Sequence, residues 1–196
     1  MRKIVVFCGS SLGFNPIYKK AAITLGNYFV ANDITLVYGG GKIGMMGTLS
    51  ETILNKGGKV IGVIPEFLKH EEVLNKNVTE LILTKTMSER KVIMSQLVDG
   101  YISLPGGFGT LDEMFEGLTL SQLHIENKPN GLLNINGFFD HILKQLDVMI
   151  AEGYLKKSNR ELLLVANNVS ELMLKMDSYV APQKKEVIHK VVKNDH

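Results

Sequence analysis

This sequence predicts an α/β fold: a single Rossmann-like three-layer domain with a mostly parallel sheet. Three observations predict it. Apolar runs of strand length recur seven times along the 196 residues. Stretches with helical apolar spacing lie between them, and strands alternating with helices pair in parallel through right-handed crossovers. Turns rich in glycine and serine follow the first, second and fifth runs, and open α/β sheets bind ligands at such carboxyl ends.

The strand-like runs are residues 3–8, 35–38, 59–64, 80–83, 100–104, 129–133 and 162–166. After the first run, Ile17, Ala21, Leu25, Tyr28 and Phe29 keep helical spacing behind Pro16, a first-turn proline with Asn15 as cap. A helix from about Met45 to Lys56 follows the second run. Ser88 is a plausible N-cap for a helix through Val92, Ile93, Ser95, Gln96 and Leu97. Met114, Phe115, Leu118 and Leu120 continue as a helix behind the fifth run. Phe138, Phe139, Ile142, Leu143, Leu146 and Ile150 repeat the pattern behind Gly137. No internal repeat or interdomain linker is visible, so residues 1–180 read as one nucleotide-binding domain and 181–196 as a charged, solvated tail.

Composition excludes several classes. The chain is long enough for one well-buried domain and too short for two ordinary ones. Hydrophobic content of 45% supports a core, yet no apolar run approaches the roughly 18 residues of a membrane span. The N-terminus has only a short apolar stretch before Gly9 and reads as a first strand rather than a signal peptide. A net charge of +2, with scattered basic residues, gives no footprint for a nucleic-acid polymer. The one cysteine, Cys8, cannot form an internal disulfide and suits a reducing cytoplasm, where it reads as a small core residue. His70, His124, His141, His189 and His196 lack metal-site spacing, so no metal is expected. Ser10 and Ser11 lack a nucleophile elbow.

The most informative stretch is Leu-Pro-Gly-Gly-Phe-Gly-Thr-Leu-Asp-Glu at 104–113. Its glycines let the backbone approach a ligand closely. The first N–H groups of the next helix then point at the turn, which suits a phosphate. A carboxylate closing such a loop needs its own task. Glu113 has a structural reading, a capping box with Thr110, and a catalytic one, and the two are not exclusive. Arg90 and Lys91 stand early in a helix, the unfavourable end of the dipole for a cation. They are either solvated charges or a guanidinium and an ammonium aimed at an anionic, planar ligand. Gly39, Gly41 and Gly44 match the dinucleotide spacing. That match follows the second strand, and no ribose-binding acid closes the third, since Glu66 lies beyond Pro65. A close-approach loop for a mononucleotide fits better than NAD.

Together these segments resemble the LONELY GUY family of cytokinin riboside 5′-monophosphate phosphoribohydrolases, whose members have often been mislabelled lysine decarboxylases. The hallmark P-G-G-x-G-T-x-x-E is matched by Pro105 to Glu113, the upstream R-K by Arg90 and Lys91, and the tyrosine-triglycine loop by Tyr38 to Gly41. Glu72 and Thr119 match further family positions, and the resemblance runs over about residues 3–166. Many members carry a histidine shortly before the arginine, where this chain has Ser88, a departure that bears on base preference rather than on chemistry.

The resemblance implies hydrolysis of the N-glycosidic bond of an adenosine 5′-monophosphate, with or without an N6 substituent. Glu113 and Arg90 would be catalytic. Gly106, Gly107, Phe108, Gly109 and Thr110 would surround the phosphate. Ser10, Gly40, Gly41, Glu72, Met87, Lys91 and Thr119 would complete the substrate pocket. It implies no organic cofactor and a homodimer whose interface lies close to the site. The rival reading is a non-catalytic nucleotide or molybdenum-cofactor carrier of the same fold. An amino-acid decarboxylase finds no support, since no lysine stands out as a Schiff-base candidate.

Overall fold

The computed structural model describes residues 3–68 and 74–182. Seven strands form one parallel sheet: β1 (Lys3–Phe7), β2 (Thr35–Tyr38), β3 (Val60–Pro65), β4 (Glu80–Thr84), β5 (Gly100–Ser103), β6 (Asn130–Leu133) and β7 (Leu163–Ala166). Their order is β4-β3-β2-β1-β5-β6-β7. All seven expected runs are strands. The order reverses at β1, where Val5 pairs with Val37 of β2 on one side and Tyr101 of β5 on the other. A crevice therefore opens where the β1 and β5 loops diverge. The loops stay tied, because the Gly9 N–H donates to the Pro105 carbonyl at 3.1 Å.

Among the described residues seven α-helices connect or flank the strands: α1 (Pro16–Ala31), α2 (Gly44–Leu54), α3 (Met87–Leu97), α4 (Phe108–Gln122), α5 (Asp140–Ala151), α6 (Lys157–Arg160) and α7 (Val169–Asp177). The period-2 alternation of side chains decides which face each helix covers. Ile4, Val6, Leu36, Tyr38, Val60 and Ile102 are buried with Leu25 and Phe29 of α1, Met45 and Leu49 of α2, and Leu172 of α7. Val5, Phe7, Val37, Ile61, Val63 and Tyr101 face the other way, against Met94 and Val98 at α3. Met114 of α4 packs with Leu132, Phe139, Leu146 and Leu163 on that same side. The central strands are thus buried on both faces, as parallel strands require. Among the described residues no helix is long and apolar enough to cross a membrane.

Helix starts were only partly legible. Asn15 caps α1 as expected, its Oδ1 accepting from the Ile17 N–H at 3.0 Å, with Pro16 in the first turn. The helix expected behind Gly137 begins later, at Asp140. Asn136 and Gly137 both take positive φ, 53° and 67°, so the chain turns before it can coil. Asn134 fixes that turn, accepting from the Phe139 N–H and donating to the Asp140 carboxylate, each at 2.8 Å. The charged tail from 183 onward lies outside the described residues.

Gly44, at the start of α2, has φ +65° and carries no side chain because a Cβ would collide with the Ser10 carbonyl. Gly57 also has positive φ, +76°, but faces open space. Gly57→Ala should therefore cost only left-handed backbone strain, about 1–2 kcal/mol. Gly44→Ala adds a clash with backbone and should cost at least about 3 kcal/mol. Urea unfolding of both variants checks this, and equal losses would contradict the packing described.

Candidate active site

The cap of α3 is Thr86, not Ser88. The Glu89 N–H donates to Thr86 Oγ1 at 3.0 Å, and Glu89 Oε2 accepts from the Lys85 N–H at 2.6 Å. The T-x-x-E signature at 86–89 carried this signal, and Ser88 is the second residue inside the helix. With the first turn satisfied by Thr86 and Glu89, Arg90 is free to reach sideways.

Its guanidinium crosses Gly39 at the end of β2, so closely that a Cβ there would collide with Nη2. Gly39 is glycine because an arginine lies on it. Arg90 Nη1 donates to Met87 Sδ at 3.8 Å, and Nη2 meets Glu113 Oε1 at 3.4 Å. The two side chains are 12% and 13% exposed. Among the described residues the buried Nε of Arg90 has no hydrogen-bond partner.

Glu113 does not cap α4. The N-cap is Gly107, with no side-chain bond, which puts Thr110 third in the helix. Thr110 is instead buried, packed so tightly over Gly106 that any side chain at 106 would strike it. Glu113, a turn further on, turns towards Arg90. Burial pushes its carboxyl up to about 7. Arg90 and Lys91 pull it down by less than burial raises it, while Asp112 and Glu116 add to the rise. Cys8, at the end of β1, is buried close enough to feel this carboxylate, and burial holds its thiol far above the ordinary range.

The two glycine loops differ in what occupies them. At α2, the Met45 N–H donates to the carbonyls of Gly9 and Ser11, so the first-strand loop fills that helix end. Gly40 has φ +78° and accepts from the Asn75 N–H at 2.9 Å, and Gly41 lies under Met46. At α4 no side chain caps the helix, and the Cβ positions of Gly107 and Gly109 have nothing within 4 Å. Protein packing explains Gly106 but not Gly107 or Gly109. Gly106 and Gly107 line a cavity of about 340 Å³ with Gly9, Ser10, Ser11, Tyr18 and Phe138. Phe108 stands almost fully exposed beside it. An uncapped helix end with open glycines is a place for an anion.

The other expected residues divide. The Lys91 ammonium sits between Asp112, at 2.7 Å, and Glu116, at 2.9 Å. No sequence motif marks those two acids. Thr119 is exposed, donates to the Phe115 carbonyl at 2.7 Å, and borders a separate cavity with Leu146 and Arg160. Six residues beyond Glu113, it is about 240° around α4 and does not meet the pair. Glu72 lies outside the described residues. A cavity of about 270 Å³ between α3 and α4 touches Glu113 and Lys91 at one end. At its other end Glu126 accepts from Ser95 and Tyr101, a network no sequence motif announced. Among the described residues no group of three or more histidines, cysteines or acids could hold a metal.

Comparison with known proteins shows what the chain is similar to. Residues 46–176 match a family model described as "Possible lysine decarboxylase". The chain is 42% identical to cytokinin riboside 5′-monophosphate phosphoribohydrolase LOG1 of Arabidopsis thaliana, over 94% of this chain and 86% of that protein. It is 44% identical to the enzyme LOG of Oryza sativa subsp. japonica, over 91% and 74%. Solved structures with the same fold include a molybdenum cofactor binding protein from Rippkaea orientalis, at 21% identity and TM-score 0.66 over 98% of both chains. Another is the molybdenum cofactor carrier protein of Chlamydomonas reinhardtii, at 20% identity and TM-score 0.67 over 90% of this chain and 96% of that one. At that identity they speak for the fold alone. With the hallmark complete and this identity spread over nearly its whole length, the chain belongs to the LONELY GUY family of cytokinin riboside 5′-monophosphate phosphoribohydrolases.

Proposed function

We propose that this protein hydrolyses the N-glycosidic bond of adenosine 5′-monophosphates, plain or N6-substituted, releasing the base and ribose 5-phosphate. One observation carries the reading: a buried Arg90–Glu113 pair beside the uncapped N-terminus of α4. Glu113 lies six residues from Gly107, about 9 Å along the helix axis. That span suits a ribose 5-phosphate with its phosphate on the helix end and its anomeric carbon at the carboxylate.

As the bond breaks, positive charge grows on the ribose and negative charge on the base, as in glycosidases. The Glu113 carboxylate offsets the first and takes a proton from the water attacking the anomeric carbon. A carboxyl titrating near 7 is well matched to accept a proton at neutral pH. Arg90 offsets the charge on the leaving base, and the proton that Glu113 took from water passes to that base, directly or through solvent, which restores the carboxylate. Gly107, Gly109 and the first N–H groups of α4 hold the phosphate, with Ser10 at the cavity wall and Met87 near the base. A carrier would need the phosphate cradle but has no use for a carboxyl tuned this way, so the hydrolase reading is the stronger. The exposed apolar residues Val92, Leu123 and Ile125 beside this site support a homodimer formed there. The single cysteine suits the cytoplasm.

AMP should release adenine, and adenosine should be a far poorer substrate. Charge-assisted hydrogen bonds contribute roughly 1.5–3 kcal/mol each, so two or three imply a kcat/KM preference of at least about a hundredfold. Gly107→Val should erase it. Equal hydrolysis of both compounds would sink the phosphate assignment. Arg90→Lys keeps the charge but loses the planar fork, and should lower kcat strongly with little change in melting temperature.

Glu113→Gln should lose about 10²–10⁴ in kcat. It also carries a stability signature. The folded carboxyl titrates near 7 against 4.5 when free, so the native state binds the extra proton in between. That contribution is full below about pH 4.5 and is lost as pH rises through 7. Glutamine mimics the protonated acid at every pH. The variant should match wild type in acid and exceed it by roughly 3 kcal/mol at alkaline pH. A constant difference across pH, read by urea unfolding, would mean the carboxyl is not perturbed.

A further inference from the structure

We propose that Asn75 is a positioning residue: it holds the loop of Gly39, Gly40 and Gly41 in place and so sets where the Arg90 guanidinium lies. The proposal deepens the hydrolase reading and rests on it. Arg90 has few holds of its own. Nη1 donates to a sulfur at 3.8 Å, and Nη2 meets one carboxylate oxygen at 3.4 Å. Its buried Nε has no hydrogen-bond partner among the described residues. What locates the guanidinium is the surface under it, the main chain of Gly39, where a Cβ would collide with Nη2. A shift of that loop therefore moves the group that offsets charge on the leaving base.

Asn75, in the turn before β4, is 5% exposed. Its N–H donates to the Gly40 carbonyl at 2.9 Å, and its neighbour Leu74 bridges Gly41. Both ends of the side-chain amide fix that turn. Oδ1 accepts from the Asn77 N–H at 3.0 Å, which closes an Asx turn. Nδ2 donates to Ser50 Oγ of α2 at 3.2 Å. Ser50 stands four residues after Met46 on α2, and the Met46 side chain lies against Gly39 and Gly41. One face of α2 thus braces the loop directly through Met46 and indirectly through Asn75. The Tyr38 hydroxyl, buried at the end of β2, faces Ser50 and Asn75 as well. Every group in this brace is uncharged, so removing the amide leaves the charges around Arg90 and Glu113 as they were.

The test is a double-mutant cycle in the full-length protein: Asn75→Ala and Ser50→Ala, each in the wild-type and Arg90→Lys backgrounds. Asn75→Ala should lower kcat for AMP by about 10- to 100-fold with KM nearly unchanged, as misplacement of a reacting group does. Ser50→Ala, which keeps the Asx turn, should lower it by a smaller factor. In the Arg90→Lys background no planar fork remains to be seated, and each change should lower kcat by less than about twofold. A residue that only stabilised the fold would lower activity by the same factor in both backgrounds, and that result overturns the proposal. An unchanged kcat overturns it too, as does an effect confined to KM, which would make Asn75 a substrate ligand. If Asn75→Ala does not fold, Ser50→Ala decides by the same criteria. In nitrogen-15 NMR the Arg90 Nε–H signal, assigned by its absence in Arg90→Lys, should move in both variants, and a signal that stays put contradicts the brace. Should wild type release no adenine from AMP, the hydrolase reading fails, while that signal still decides whether Asn75 places the arginine.

Discussion

Taking the Glu113 carboxylate out of water costs several kcal/mol, and the Arg90 guanidinium 3.4 Å away compensates only part of it. The residual is visible as a carboxyl displaced from 4.5 to about 7. Much of the local structure follows from holding these two groups together. Gly39 has no side chain because the guanidinium lies on it. α3 must start at Thr86 so that Arg90 falls in its second turn, and α4 must start at Gly107 so that Glu113 faces back across the crevice. The topology supplies the place, since the strand order reverses at β1 and leaves the carboxyl ends of β1 and β5 open.

The second constraint is an asymmetry between helix ends. Two helices begin in glycine-rich loops at the same edge of the sheet, and from the sequence both look like anion sites. Main-chain carbonyls of the β1 loop satisfy α2. α4 has no cap and no side chain over Gly107 or Gly109. An unsatisfied helix end is tolerable when water or a ligand supplies the missing acceptors. The structure thus separates a glycine loop that accommodates protein from one left open, which spacing rules cannot do.

The strands were legible because period-2 alternation and double-sided burial leave an apolar signature over each run, and the family hallmark was legible because it is contiguous. What the sequence hid is non-local. Gly39 looks like a ligand-approach glycine until Arg90, 51 positions away, is seen across it. Thr110 and Glu113 have capping-box spacing, yet the helix starts three residues earlier because Gly107 and Gly109 allow it, and the box never forms. Thr119 shares α4 with Glu113 but, six residues on, points about 240° around it. Lys91 reads as an arginine's companion until Asp112 and Glu116 arrive from another helix. The cap of α3 is local and therefore legible: Thr86 with Glu89 is a stronger signature than Ser88.

The central claim is that a buried carboxyl, displaced by desolvation, accepts the proton of the attacking water. Its most direct measurement is the pH dependence of kcat/KM for AMP, which reports groups of the free enzyme. The account predicts that the rate climbs with pH along an acidic limb centred near 7, where Glu113 ionises. A profile already flat from about pH 5 upward, as an unperturbed carboxylate would give, would contradict it.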